Sequence, residues 1–226
     1  MSDSSMVVAP GEHNPALRHH FADMEQQREA SEMGMWVFLI TEIMFFGGLF
    51  CGYMVYRYLY YPAWEAGSEH MDFWWGTLNT IVLICSSLTM ALAVHACQVG
   101  QRKALVILLI VTMVFGCAFL GIKAIEYTGH WHEHQFPGPG FHFDGPDAPH
   151  VELFFAFYWG MTGLHALHML IGVGVVAFIT FFSWRGDYGP DYFNPVENAG
   201  LYWHFVDVIW IFLYPLLYLI SHSHVH

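Results

Sequence analysis

Between Lys103 and Lys123 the chain reads ALVILLIVTMVFGCAFLGI (residues 104–122), without one charged side chain. About 20 helical residues, at roughly 1.5 Å of rise each, cross the hydrocarbon core of a bilayer. A stretch of this kind either spans a membrane or lies deep in a large soluble core, and composition decides between the two. Of the 226 residues, 56% are apolar and 12% charged, whereas soluble domains average roughly 25% charged. The charges also gather in the N-terminal tail and the connections. A bilayer explains apolar runs of this continuity; a water-soluble core does not.

Working outward, four further stretches have the necessary length. The five expected spans cover about residues 33–57, 74–98, 103–125, 153–184 and 200–221. The fourth is long enough to tilt or to extend beyond the hydrocarbon. The fold class is therefore all-α, a membrane-embedded five-helix bundle over residues 33–226 behind a polar N-terminal tail, residues 1–32. That tail has no apolar stretch of the signal-peptide kind, so the first span is expected to act as the insertion signal. Tyr61-Pro62 with Glu65, Gly67 and Ser68 reads as a break between spans one and two. The short Val99–Lys103 turn makes spans two and three antiparallel neighbours. Residues 126–152, with Pro137, Pro139, Pro146 and Pro149, read as a loop that excludes helix.

Charge then sets orientation and partners. Arg18, Arg28, Arg102, Lys103 and Arg185 fall on one side. Arg57 and Lys123 fall on the other, at span ends where they can snorkel. The positive-inside rule places the N-terminus in the cytoplasm and the C-terminus in the periplasm. Glu65, Glu69, Asp72, Glu133, Asp144, Asp147 and Glu152 then make the outer loops acidic, read as solvated loop charge. With 19 acids against 7 bases, the chain lacks the clustered Lys and Arg that phosphate binding needs, which excludes nucleic acid as a partner. Cys51, Cys85, Cys97 and Cys117 lie in apolar runs and read as small core hydrophobes.

An ionisable group within a span costs about 2.5–3.5 kcal/mol on insertion scales, so each needs a partner or a purpose. Glu42 lies mid-span in the first, His95 near the end of the second, and Lys123 and Glu126 at the end of the third. His165 and His168 share one face of the fourth, and His204 and Asp207 repeat that spacing in the fifth. Gly48 and Gly52, with Gly160, Gly163, Gly172 and Gly174, read as close-approach points. A bundle held together by buried Glu, His and Asp is the plainest reading, and a proton relay through Glu42 and a histidine is the sharper one. A b-type haem could recruit His95, His165 and His204, but no dedicated haem signature surrounds them. A diiron site needs Glu-x-x-His pairs within spans, and there are none. His130, His132, His134, His142 and His150, with His222, His224 and His226, read as solvated histidines more than as metal ligands.

The motifs carry a resemblance. Gly34-Met-Trp-Val-Phe-Leu-Ile-Thr41-Glu42-Ile-Met-Phe-Phe46, with Thr41 where Ser is usual, resembles the opening motif of subunit III of the haem–copper terminal oxidases. Leu78-Asn79-Thr80, Gly100-Gln-Arg102-Lys103, Glu126-Tyr127 and Gly163-Leu-His165-Ala-Leu-His168 follow in the family's order. Glu197-Asn-Ala-Gly-Leu-Tyr-Trp-His204-Phe-Val-Asp207-Val-Ile-Trp210 closes the series. The resemblance spans about residues 33–221 and implies the short bacterial form, in an inner membrane. It implies a non-catalytic subunit that carries no haem or copper itself. Such a subunit packs against subunit I, which holds those groups, alongside subunit II, in a complex that reduces O2 to water and pumps protons. It also implies structural lipid, and makes Glu42, Glu126, His165, His168, Glu197, His204 and Asp207 the buried polar network.

Two departures qualify this. The larger family form has seven spans, so a lipid cleft here needs a pair of helices from another chain. A buried Glu that the larger form carries five residues before the Leu-Asn-Thr asparagine is Trp74 here, with Asp72 the nearest acid. A quinol oxidase or a nitric-oxide-reductase accessory protein shares the same five spans. An independent proton channel or transporter is the reading from another class, and the absence of an inverted repeat disfavours it.

Overall fold

The structure, a computed structural model, describes residues 23–220 apart from 144, 146 and 191. Arg18, Asp144, Pro146 and the terminal His222, His224 and His226, with the tail to residue 22, lie outside the described residues. The elements are α1 (Met24–Leu59), α2 (Tyr61–Glu69), α3 (Phe73–Gln98), α4 (Arg102–His132), α5 (Ala148–Arg185) and α6 (Asn194–Tyr218). All but α2 are long and apolar enough to cross a membrane, so the protein is a multi-pass, all-α membrane protein.

The helices run further than hydropathy alone indicates. α1 starts at Met24, inside the polar tail, because the Asp23 side chain accepts from the Gln26 backbone N–H at 2.7 Å and caps it. Two expectations about loops are overturned. The segment after Leu59 is not a plain break: Pro62 sits in the first turn of α2, where its missing N–H costs nothing. Nor do residues 126–152 exclude helix, since α4 continues to His132 and α5 begins at Ala148 with Pro149 in its first turn. Within residues 126–152 the non-helical part runs only from Glu133 to Asp147.

The turn between α3 and α4 is tight, with Gly100 at φ +78°, and the two helices pack side by side. Thr89 and Thr112 meet across them at 2.7 Å. α6 lies at the centre and packs against α1, α3 and α5. Its Trp203 is wedged among three helices: the indole lies against Gly116 of α4 and Gly172 of α5. The indole N–H donates to Ser86 Oγ of α3 at 3.0 Å. A Cβ at Gly116 would stand 2.7 Å from Trp203 Cη2 and 2.9 Å from Val173 Cγ2, so only glycine admits this crossing. Gly48, Gly160, Gly163 and Gly174, by contrast, meet nothing within 4 Å, and Gly52 makes only ordinary contact with Phe157. Of the glycines expected to allow close approach, Gly172 is the one that does so tightly. Cysteine placement also departs from expectation: Cys97 is buried, while Cys51, Cys85 and Cys117 face outward.

Helix ends are closed by side chains from neighbouring helices. The last carbonyls of a helix have no partner within it. At the end of α6, Tyr53 of α1 donates to Leu216 O, and Ser68 of α2 donates to Leu217 O at 3.0 Å. At the end of α5, the Arg102 guanidinium donates to Ser183 O at 3.2 Å and to Trp184 O. That adds a cation at the negative pole of the helix. We expect Gly116→Ala to destabilise the detergent-solubilised chain by about 1–3 kcal/mol, the usual cost of overpacking. Gly160→Ala, in open space, should leave it unchanged or stabilise it by up to about 1 kcal/mol. Thermal unfolding of the two variants side by side checks both.

Candidate functional site

The densest polar cluster lies between α4, α5 and α6. Lys123 and Glu126 are three residues apart in α4 and share a face, and the Lys123 Nζ lies 3.1 Å from Glu126 Oε2. Lys123 was expected to snorkel outward. Instead it is 2% exposed, because its helix continues two further turns and its side chain points into the bundle. Tyr158 of α5 donates to Glu126 Oε1 at 2.6 Å, and Tyr218 of α6 donates to the same oxygen. The Lys123 ammonium also reaches Tyr218 Oη at 2.8 Å and Tyr158 Oη at 3.3 Å. It stands 5.2 Å from the ring centres of Tyr127, Tyr158 and Trp210, a favourable position for a desolvated cation.

His130, expected to be a solvated loop residue, is buried in the last turns of α4. Its Nδ1 donates to Gln135 Oε1 at 2.6 Å, and its Nε2 faces Glu126 Oε1 at 4.0 Å. Burying two ions costs several kcal/mol each unless their remaining hydrogen-bonding capacity is met. Here three donors converge on one carboxylate, so the cluster binds three helices together instead of leaving a reactive group open.

A second pair joins α1 to α5. His168 Nδ1 donates to Leu164 O at 2.8 Å, and its Nε2 lies 3.2 Å from Glu42 Oε2. With Nδ1 committed as a donor, the contact between Nε2 and Oε2 requires one proton between them, on the ring or on the acid. The Glu42–His168 pair therefore ties α1 to α5 by a hydrogen bond.

The remaining candidates are separate. His204 Nδ1 meets Ser87 Oγ at 2.8 Å. His165 is 1% exposed, packed against Phe119 and Trp210 with ring centres 5.4 and 5.1 Å away, and neither ring nitrogen has a hydrogen-bond partner. Asp207 is buried with no hydrogen bond of good geometry, the Ser87 hydroxyl being its nearest donor, and buried Asn79 has no partner for its amide. Glu197 lies at the opposite end of α6, in its first turn, with one oxygen unpartnered. Direct hydrogen bonds thus join Glu42 to His168, but do not link the seven candidates into one chain. Lys123 was read as an interfacial cation and Asn79 only as part of a motif, while Tyr158, Tyr218 and Ser87 went unnoticed in sequence. The Lys-x-x-Glu spacing within an apolar helix was the available signal for the first. Among the described residues no three His, Cys, Asp or Glu side chains are grouped so as to hold a metal ion.

The arrangement defines a class: a polytopic membrane protein in which some of the ionisable groups are paired between or beside helices while others are left unpaired. Comparison with known proteins narrows it. The family described as cytochrome c oxidase subunit III matches residues 18–222. The chain belongs to that family. It is 32% identical over 190 residues to a cytochrome c oxidase subunit 3 of Thermostichus vulcanus, covering 84% of this chain and 87% of the relative. It is 29% identical over 207 residues to a quinol oxidase subunit 3 of Bacillus subtilis (strain 168), covering 88% and 93%. It is 31% identical over 221 residues to a cytochrome c oxidase subunit 3 of Synechocystis, covering 97% and 84%. The protein is thus a subunit III of the haem–copper oxidases, a component of the respiratory chain that works within a complex of several subunits.

Lys123→Met should destabilise the chain by about 3–5 kcal/mol, because it strands Glu126 as an unpaired buried charge. The double variant Lys123→Met/Glu126→Gln should recover most of that loss. Unfolding of the three proteins in mixed detergent micelles distinguishes a paired charge from lost packing alone.

Proposed function

We propose that the chain is a non-catalytic subunit III of a bacterial inner-membrane oxidase. In this reading it packs against subunit I and supports it while that subunit reduces O2 to water and pumps protons. The family match over residues 18–222, carried on a five-span bundle, is the observation that supports this most. Haem and copper belong to the partner subunits, and this chain contributes rigidity and a shaped lipid-facing surface. An apolar groove of about 470 Å³ between α1 and α6, lined by Leu39, Ile43, Phe46, Gly47 and Phe212 among others, suits an acyl chain. Cytochrome c is the first reading of the electron donor. The similarity to a quinol oxidase subunit over 93% of that relative's length favours quinol as the second. The seven polar candidates act as internal fastenings in this reading, with the Glu42–His168 pair also storing a proton.

Orientation is part of the proposal. With Lys123 paired inside the bundle, the cations left on the outer side reduce to Arg57, against Arg18, Arg28, Arg102, Lys103 and Arg185 on the other side. That supports a cytoplasmic N-terminus and a periplasmic C-terminus. Reporter enzymes active only in the periplasm should work when fused after residue 226 and fail when fused before residue 1; the reverse pattern would invert the topology. An affinity-tagged chain expressed in its host should bring down subunits I and II. The complex should consume O2 with reduced cytochrome c, and the chain stripped from it should show no haem absorbance. Oxygen consumption with quinol alone would select the second reading, and stoichiometric haem in the isolated chain would refute the non-catalytic role.

A further inference from the structure

A groove of about 420 Å³ runs along the outside of the bundle between α3 and α6. Ile84, Ser87 and Ala91 line it from α3, and His204, Asp207 and Ile211 line it from α6. Its walls are apolar except at one level. There Asp207, 4% exposed, holds a carboxyl group with no hydrogen bond of good geometry, and the Ser87 hydroxyl is its nearest donor. That hydroxyl is shared with His204 Nδ1, 2.8 Å away. One shared hydroxyl can serve at most one carboxyl oxygen, and in hydrocarbon no water replaces a missing donor for the other. The second oxygen is left for a donor from outside the bundle.

Depth and shape say what kind of molecule. Asp207 lies roughly 17–20 Å from either end of α6, at about 1.5 Å per residue. That places it near the middle of the span, out of reach of a lipid headgroup. On α3 the lining positions follow helical spacing over about 10 Å between Ile84 and Ala91, so the groove runs parallel to the helices. Ser87 and Ala91 are small at the point where a neighbouring backbone would approach. Ile84, Leu88, Val208 and Ile211 stand about half exposed around it, as the apolar rim of a contact with another helix. An acyl chain would fill the volume but would leave Asp207 unsatisfied.

We infer that this groove receives a transmembrane helix of a partner subunit that carries a hydrogen-bond donor at mid-membrane depth, and that Asp207 is its acceptor. The inference rests on the reading of the chain as an oxidase subunit and assigns it a docking face: α3 and α6 rather than the outer face of α4. Asp207 and the partner's donor each remove the other's orphaned polar group, so the contact is specific as well as apolar.

A photo-reactive residue placed at Ile84 or Val208 in the intact complex should form adducts with a transmembrane segment of a partner subunit. The same residue at Ile107, on the outer face of α4, should not. Adducts only with lipid, adducts with a second copy of this chain, or capture of the partner from Ile107 alone would overturn the proposal. Asp207→Leu should lower the amount of this subunit retained through detergent purification about tenfold, as expected for one interhelical hydrogen bond. Asp207→Asn, which keeps an acceptor, should retain it nearly as well as the wild type. Thermal unfolding of the isolated Asp207→Leu chain should be unchanged, which separates lost docking from lost folding; full retention of that variant would also overturn the proposal. An oxidase complex with a lipid-filled groove would defeat this inference and leave the functional reading intact. A partner helix seated in the groove of a complex with no oxidase activity would do the opposite.

Discussion

Inside a bilayer a lost hydrogen bond is not replaced by water, and the central helix of this protein is organised around that constraint. α6 presents Trp203, Trp210 and Tyr218 to its neighbours, and each polar atom on these rings meets a partner on another helix. The Trp203 N–H reaches Ser86, the Trp210 N–H reaches Thr80 at 3.1 Å, and the Tyr218 hydroxyl reaches Glu126. Two of the carbonyls at its C-terminal end are closed by Tyr53 and Ser68. Large aromatic area and satisfied polar tips occur in the same residues, so packing and hydrogen bonding cannot be separated here.

The ionisable groups sort by surroundings. The Lys123–Glu126 pair is enclosed by tyrosines and a tryptophan and acts as a permanent clasp. Glu42 and His168 sit between α1 and α5 at partial exposure and join the two helices. Asp207 borders a groove, with only the shared Ser87 hydroxyl near enough to donate to it. One subunit therefore carries a closed charge pair, a partly exposed hydrogen-bonded pair and an incompletely served acceptor. The family assignment makes sense of that mixture, since a subunit of a larger complex needs outward-facing contacts as well as an inner frame.

Much of this was legible in the sequence. Apolar run length gave five spans, and the tight turn at Gly100 gave the pairing of α3 with α4. Glu42 and His168 were marked as unusual within spans, and their family motifs were readable. The lost information is rotational and terminal. Whether Lys123 snorkels or turns inward depends on where its helix stops, and the helix ran on past Glu126 and His130. Pro62 and Pro149 looked like breaks because a proline in sequence does not say whether it lies inside a helix or in its first turn. The face each glycine occupies was equally hidden: Gly116 and Gly172 take the Trp203 ring, while Gly160 and Gly163 face outward.

The position of α6 has a consequence for biogenesis. Helices leave the ribosome in order, and α6 follows the other five. Until it arrives, Tyr53 and Ser68 lack their acceptors, Glu126 keeps Lys123 and Tyr158 but not Tyr218, and the glycines of α4 and α5 have no ring to close upon. α3, α4 and α5 can pair beforehand through contacts such as Thr89–Thr112 and Tyr158–Glu126. Closure of the bundle around the aromatic side chains of the last span waits for that span. A nascent chain arrested before α6 would thus expose several unsatisfied groups at once, a conspicuous target for membrane quality control.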